Sequence, residues 1–324
     1  MKAMILAAGL GTRLRPLTLV RPKPLVPVMG TDLLTYWVHR LHREGFEAVV
    51  VNAFHLHGQM VKAVSERPWP LPVHMCVEPR LLGTAGGLRN ALDFFGDEPL
   101  AVVNSDVICN VSVADLYEDH LRSGCPASLL VHDFSPFNNV VVAQDGRIVQ
   151  FGDRPAPPGH DGEPARIMAF TGIYCLTPSI LSDVPPGHPR ELVPLLTECL
   201  SKGMRVRAVT RPPFFWREIG TLDSYRRVHR ELSLREGESP GPLPAGRSFR
   251  SEGPAVENSD LSLRGFVVMG RNCRVGKEAV LEDTILWDHV EVKARSSLNN
   301  CIVTDGAVVE GNHANEVILG ETGL

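Results

Sequence analysis

The sequence predicts an α/β domain, a mostly parallel sheet flanked by helices, followed by a short left-handed parallel β-helix. Three observations predict it. The first 230 or so residues alternate short apolar runs with helical patterns. Residues 236–254 then turn rich in Gly, Pro, Ser and Glu, with Pro-Gly-Pro-Leu-Pro at 240–244, the composition of a linker. Beyond them the chain takes up a six-residue beat. A chain of 324 residues, 44% hydrophobic, is comfortable for two such bodies. The boundaries fall at 1–235, 236–255 and 256–324.

The elements follow in order. Residues 3–8 form an apolar run suited to a buried strand. Thr31 or Asp32 caps a first helix whose apolar stripe is Leu33, Leu34, Trp37, Val38 and Leu41, and Gly45 ends it. Strands are expected over 48–53, 73–77 and 100–103. A helix starts at Thr84-Ala85, after a turn at Gly83. Residues 139–144 and 147–151 flank Asp145-Gly146, a hairpin signal. Further strands span 167–176 and 205–210, and a last helix runs over 222–235.

In the tail, Met269, Val275, Leu281, Val292, Leu298 and Thr304 share one phase. Cys273, Ala279, Ile285, Ser296, Ile302 and Val308 fall four residues later, and one five-residue step near Trp287 shifts the register. In a triangular coil every sixth side chain points inward, which predicts Val275, Leu281, Val292, Leu298 and Ile302 as interior. So few coils leave an open edge, to be covered by another chain or by the catalytic domain. The tail is therefore expected to assemble a homo-oligomer, with the chemistry confined to residues 1–232.

Bulk properties narrow the function. A net charge of −4 and a pI near 6.3 give no basic field for nucleic acid or anionic membrane. No apolar run approaches the roughly 20 residues that span a bilayer. The apolar N-terminus is followed by Arg13 and Arg15 with no convincing cleavage region, unlike a signal peptide. Seven cysteines, an odd number without a Cys-x-x-Cys pair, suit reduced thiols and a cytoplasmic location. The histidine pairs His55/His57 and His39/His42 lack neighbours to complete a metal set.

Function concentrates in residues 4–28. The first apolar run ends in Gly9-Leu10-Gly11-Thr12-Arg13, whose glycines turn the backbone tightly and present successive N–H groups outward. Such a nest suits phosphate oxygens, and Arg13 adds a planar, always-charged fork. Arg21-Pro22-Lys23-Pro24 follows. Each proline fixes its own φ and drives the residue before it towards an extended shape. Lys23, one of only six lysines in the chain, is thereby held rigidly. Spacing excludes two other glycine-rich loops. A dinucleotide fingerprint needs a third glycine where this chain has Leu14, and a Walker loop needs a closing Gly-Lys-Ser/Thr.

The full string resembles the signature of the sugar-1-phosphate nucleotidyltransferases, the nucleotide-sugar pyrophosphorylases. The resemblance implies a Rossmann-like, GT-A-like domain. It implies that Gly9, Gly11 and Thr12 cradle the triphosphate, that Arg13 neutralises departing pyrophosphate and that Lys23 meets the nucleotide phosphate. It extends the nucleotide-binding set to Leu6 and Ala8. Three later motifs agree. Glu78-Pro79-Arg80-Leu81-Leu82-Gly83-Thr84-Ala85-Gly86-Gly87 matches the family's second glycine-rich turn, which assigns Glu78, Gly83, Thr84, Ala85 and Gly86 to the base and nucleoside. Asn104-Ser105-Asp106 ends a strand where the family usually has Gly-Asp, placing Asp106 on Mg²⁺. Trp216-Arg217-Glu218-Ile219-Gly220-Thr221 resembles Trp-x-Asp-x-Gly-Thr, with Glu218 replacing the second metal-binding aspartate by a longer acid.

On the sugar side, Asp153-Arg154-Pro155 stands where relatives carry Glu-Lys-Pro, so Arg154 takes the role of the lysine on the sugar phosphate. Thr171 and Gly172 match the strand lining the sugar pocket. The implied substrates are an NTP, GTP favoured, and a sugar 1-phosphate, the pattern being most like mannose-1-phosphate guanylyltransferases. Uridylyl- or thymidylyltransferase activity on another sugar 1-phosphate is the alternative. A non-catalytic nucleotide-sugar-binding subunit is another, and its mark would be loss of Arg13, Lys23 or Asp106. All three are present. An acyltransferase on the tail finds only His289 and His313, without a recognisable acyl-carrier cleft.

Overall fold

A computed structural model describes residues 1–152, 165–235, 241–243, 248–250 and 261–320. The chain divides into two compact units, residues 1–9 with 37–216 and residues 10–36 with 217–324. The glycine loop from Leu10 and the Lys23 segment thus belong to the unit that carries the tail. Arg154 and most of the expected linker lie outside the described residues.

The first unit is built on nine strands, numbered here in chain order: β1 (Lys2–Leu6), β2 (Ala48–Ala53), β3 (Val73–Val77), β4 (Leu100–Asn104), β5 (Ala127–His132), β6 (Asn138–Val142), β7 (Ile148–Phe151), β8 (Arg166–Leu176) and β9 (Val206–Val209). Their order is β7-β6-β8-β4-β1-β2-β3, with β5 joining β8 and β9 joining β5. From β4 to β3 the strands run parallel, and β8 is antiparallel to β4, β5 and β6. Ala3, Met4 and Ile5 are all fully buried, the continuous apolar reading of a strand covered on both faces. One face packs Met4, Val50, Val102, Leu129 and Tyr174 against Ala85 and Leu88 of the helix Gly83–Asn90 and Leu192, Leu195 and Leu196 of the helix Leu192–Ser201.

The expected strands and hairpin are present with ends shifted by one or two residues; the first stops at Leu6 and the helix after the second glycine-rich turn begins at Gly83. The helix Leu33–Arg43 buries its whole expected stripe. Asp32 caps it, its carboxylate accepting from the Thr35 amide at 2.9 Å. The helices His57–Glu66, Val113–Ser123 and Leu192–Ser201, and the strand β5, go beyond the sequence reading.

In the second unit, residues 262–318 wind into a short left-handed parallel β-helix whose successive coils pair at a spacing of 17: Met269↔Leu286↔Val303 and Val275↔Val292↔Val309. Two five-residue steps, Leu281 to Leu286 and Leu298 to Val303, shorten each coil from the 18 residues of three hexads. This corrects the expected phase. Leu286, Val303 and Val309 join the interior with Val275, Leu281, Val292 and Leu298. Ile285 and Ile302 are buried outside that cluster, and Val308 is exposed, because a one-residue slip turns a strand side chain to the other face. The corners use left-handed residues that repeat at the same spacing, Asn272 and His289, then Gly306.

Candidate active site

In the first unit, β1 and β4 run parallel with Leu6 beside Asn104, so their carboxyl ends open side by side. The Ser105 amide donates to the Leu6 carbonyl at 3.1 Å. This places half-buried Asp106 next to the chain leaving β1 through buried Ala7 and Ala8 towards exposed Gly9. In sheets with parallel strands, ligands bind at such carboxyl ends.

A relay of polar groups ties that chain to the second glycine-rich turn. Asn52, the lone polar side chain in β2, accepts from the Ala7 amide at 2.7 Å and donates to Glu78 at 2.7 Å. The other Glu78 oxygen accepts from the Leu82 amide at 3.0 Å. Burial pushes the Glu78 carboxyl above its ordinary pKa, while the Leu82 and Asn52 donors pull it back. Sequence reasoning missed Asn52, although an asparagine inside Ala-Val-Val-Val-Asn-Ala was the available signal. Gly83 has φ +67°, and a Cβ there would stand 2.6 Å from Glu191. A Cβ at Gly86 would meet the His188 carbonyl at 2.6 Å, and one at Gly87 would meet Glu78 at 2.8 Å. These glycines admit neighbouring protein groups, so the close approach they permit is already used within the fold. Half-buried Gly83 and Thr84 begin the helix at this turn, and Ala85 and Gly86 after them are buried.

Thr171 and Gly172 lie on β8 where its register against β5 shifts between Phe170 and Tyr174. Gly172 has φ +78°, and a Cβ would fall 2.5 Å from the Asn104 amide group. Buried Thr171 donates to the Leu130 carbonyl at 2.9 Å, and its own carbonyl accepts from the Trp216 indole at 3.0 Å. Trp216 packs edge-on against His132, Phe134 and Phe137. The pair thus makes a bulge beside Asn104, at the end of β4 that leads to Asp106.

The second unit holds the two cations. Gly11 has φ +62°, and a Cβ there would meet Thr18 at 2.7 Å, so only glycine fits. The Thr18 hydroxyl donates to the Gly11 carbonyl at 2.8 Å, and Thr12–Leu14 follows as a short turn. Arg13 projects from that turn, largely exposed, and pairs with Glu218 at 2.8 Å. Gly220 lies against the pair, where a Cβ would come within 2.5 Å of the Glu218 carboxylate. Thr221 and Ser224 close a capping box on the helix Leu222–Ser233, fixing the backbone just after Glu218. Half-buried Lys23 starts a tight turn, Lys23–Leu25, closed by the Leu25 amide on the Pro22 carbonyl at 2.8 Å. Glu218, read from sequence as a metal ligand, is in this structure the partner of Arg13.

Oxygen donors such as Asp106 and Glu218 match a hard divalent cation in chemistry. Among the described residues no group of three or more His, Cys, Asp or Glu gathers as a metal cluster, and no helix is long and apolar enough to cross a membrane.

A model of the family described as Nucleotidyl transferase matches residues 2–234. The UTP–glucose-1-phosphate uridylyltransferase of Synechocystis is 25% identical over 334 residues, covering 96% of this chain and 82% of that protein. The mannose-1-phosphate guanylyltransferase of Mycobacterium tuberculosis is 28% identical over 306 residues, covering 90% and 81%. HddC from Yersinia pseudotuberculosis, solved in complex with GMP-PN, superposes with a TM-score of 0.59 at 21% identity, covering 71% of this chain and 98% of that one, a likeness of fold. The chain belongs to the Nucleotidyl transferase family. Its class is that of the sugar-1-phosphate nucleotidyltransferases.

Proposed function

We propose that the chain joins GTP to mannose 1-phosphate, giving the nucleotide sugar and pyrophosphate, with the loop at Gly9–Arg13, Lys23 and the turn at 78–86 as its nucleotide site. The observation that carries this reading is the held pair of cations in the second unit. Arg13 is oriented by Glu218, and Lys23 is fixed in a turn between prolines. The Leu82-Gly83-Thr84-Ala85-Gly86 form of the second turn and the guanylyltransferase relative favour the guanine base. A uridylyltransferase on glucose 1-phosphate is the second reading, favoured by the Synechocystis relative at similar identity.

The chemistry asks for alignment and charge neutralisation. A phosphate oxygen of the sugar 1-phosphate attacks the α-phosphorus of the NTP, and the bond to pyrophosphate breaks with no covalent enzyme intermediate. Arg13 neutralises charge developing on pyrophosphate, and Lys23 holds the α-phosphate for in-line attack. Leu6, Ala8, Gly9, Gly11 and Thr12 wall the triphosphate. Glu78 acts through Asn52 and the Leu82 amide to hold the turn Gly83–Gly86 under the base. Thr171, Gly172 and Arg154 take the sugar phosphate. Asp106 and Glu218 would hold Mg²⁺, which when bound supplies further neutralisation of the phosphates. The chain works as a homo-oligomer, the open end of its β-helix covered by another copy; light scattering that finds only monomer contradicts this.

A pyrophosphate-release screen of the purified chain against four NTPs and a panel of sugar 1-phosphates tests the assignment. GTP with mannose 1-phosphate is expected to give the highest kcat/KM. A higher value for UTP with glucose 1-phosphate overturns the choice of base and sugar.

A further inference from the structure

We propose that the β-helix is part of the catalytic apparatus, its Asp305 and Trp287 serving as positioning residues for the segment that carries Lys23. The inference rests on the reading that Lys23 meets the nucleotide phosphate. It concerns residues 21–29 of the second unit, a stretch with three prolines at 22, 24 and 27 and little regular structure of its own.

Both flanks of Lys23 are held. On the N-terminal side the Arg21 guanidinium pairs with the Asp305 carboxylate at 2.7 Å, with both side chains about four-fifths sheltered from solvent. The same guanidinium lies over the Trp287 ring, 5.2 Å from its centroid. On the C-terminal side the Tyr225 hydroxyl donates to the Pro27 carbonyl at 2.6 Å. That hydroxyl accepts from the Trp287 indole at 2.9 Å, so one buried tryptophan serves both flanks. Met29 then donates its amide to His229 at 3.2 Å. Between these points, Lys23–Leu25 forms the turn that aims the lysine.

The anchoring side is itself rigid. The other Asp305 oxygen accepts from the Asp288 amide at 3.1 Å, and Arg271 pairs with the Asp288 carboxylate at 2.7 Å. Sheltered ion pairs add little net stability but fix orientation, and removing one partner leaves a costly charge. Arg21 and Asp305 are suited to setting where Lys23 stands more than to holding the fold together. Lys23 needs that help, because prolines on either side restrict dihedrals without tying the segment to anything.

The test uses the full chain with Asp305→Asn, Trp287→Phe, Arg21→Met and the double variant Arg21→Met/Asp305→Asn. Glu291→Gln is the control; it breaks the surface pair of Glu291 with Lys293 on the β-helix and touches no residue of the clamp. Amide hydrogen exchange is read at Leu25 and Val26, whose amides close the Lys23 turn. The kcat and the KM for NTP are measured alongside. We expect at least tenfold faster exchange at both amides in Asp305→Asn. Turnover should fall about tenfold while KM moves less than threefold, and the double variant should be no worse than the worse single variant. Unchanged exchange and kcat in Asp305→Asn, or additive losses in the double variant, overturn the proposal. Should Trp287→Phe fail to fold, the Arg21 and Asp305 variants decide it alone. Absence of pyrophosphate release by the wild-type chain sinks the transferase reading instead, and the exchange comparison still decides whether the clamp exists.

Discussion

Two cations, from the same compact unit, carry most of the proposed chemistry. Arg13 is largely exposed and Lys23 half-buried, so neither side chain supports a core. Arg13→Ala and Lys23→Ala should each lower kcat at least about tenfold, roughly 1.4 kcal/mol of barrier, and leave the melting temperature within a degree or two. Steady-state kinetics and thermal melts of both variants check this; near-wild-type turnover in both removes the phosphate role. Glu218 has two calls on its carboxylate, the Arg13 pair that the structure shows and the proposed metal. Glu218→Asp shortens its reach by one methylene, so partial activity is expected under saturating Mg²⁺, whereas Asp106→Asn should abolish it. A Mg²⁺ titration of turnover separates them, and full activity in Asp106→Asn contradicts the assignment.

At the scale of the element, the helix Leu222–Ser233 carries a proton-sensitive hold on the signature segment. His229 is fully buried, its Nδ1 facing the Tyr225 carbonyl at 2.8 Å and its Nε2 accepting from the Met29 amide. Burial depresses its pKa from 6.5 to about 4, with the Tyr225 carbonyl working the other way. A depressed histidine contributes stability that is fully present above pH 6.5 and is lost as pH falls through about 4, on the order of 3 kcal/mol. Protonated Nε2 would face the Met29 N–H donor to donor. The melting temperature should therefore drop between pH 6.5 and 4, and His229→Gln should flatten part of that slope. His120, also depressed to about 4 by burial, accounts for part of the remainder. An identical slope in His229→Gln contradicts this account.

Across the whole molecule, the sequence was most legible where one residue type has one physical use. Gly11, with its left-handed φ and the Thr18 methyl against it, was such a place. The apolar stripe of the first helix and the interior Val275 and Val292 of the β-helix were others. Contacts distant in sequence were not legible. Nothing local to Arg21 announces Asp305, 284 residues on, and nothing in Leu82–Gly87 announces the segment 188–191 packed against its glycines. The coil spacing of 17 hid behind the six-residue beat because each coil spends one five-residue step, which the interior reveals only when Leu286 and Val303 are seen together. Composition placed a boundary near 235, and the signature motifs confined the expected chemistry to residues 1–232. Yet residues 10–36 form a compact unit with 217–324, and Arg21 and Tyr225 meet the β-helix directly. Truncation after Arg235 is therefore expected to cost at least about tenfold in kcat, a loss of roughly 1.4 kcal/mol, where an independent N-terminal domain would keep full turnover. Kinetics of the truncated chain, with circular dichroism to show that it folds, decides between them.

Nucleotidyl transfer with pyrophosphate as the leaving group can be watched directly. Phosphorus NMR of the full chain with GTP, mannose 1-phosphate and Mg²⁺ follows every phosphate at once. The triphosphate and sugar-phosphate signals should fall together while pyrophosphate and a diphosphodiester rise one for one, and Asp106→Asn should show none of this. Release of orthophosphate, or triphosphate loss without a diphosphodiester, would contradict it.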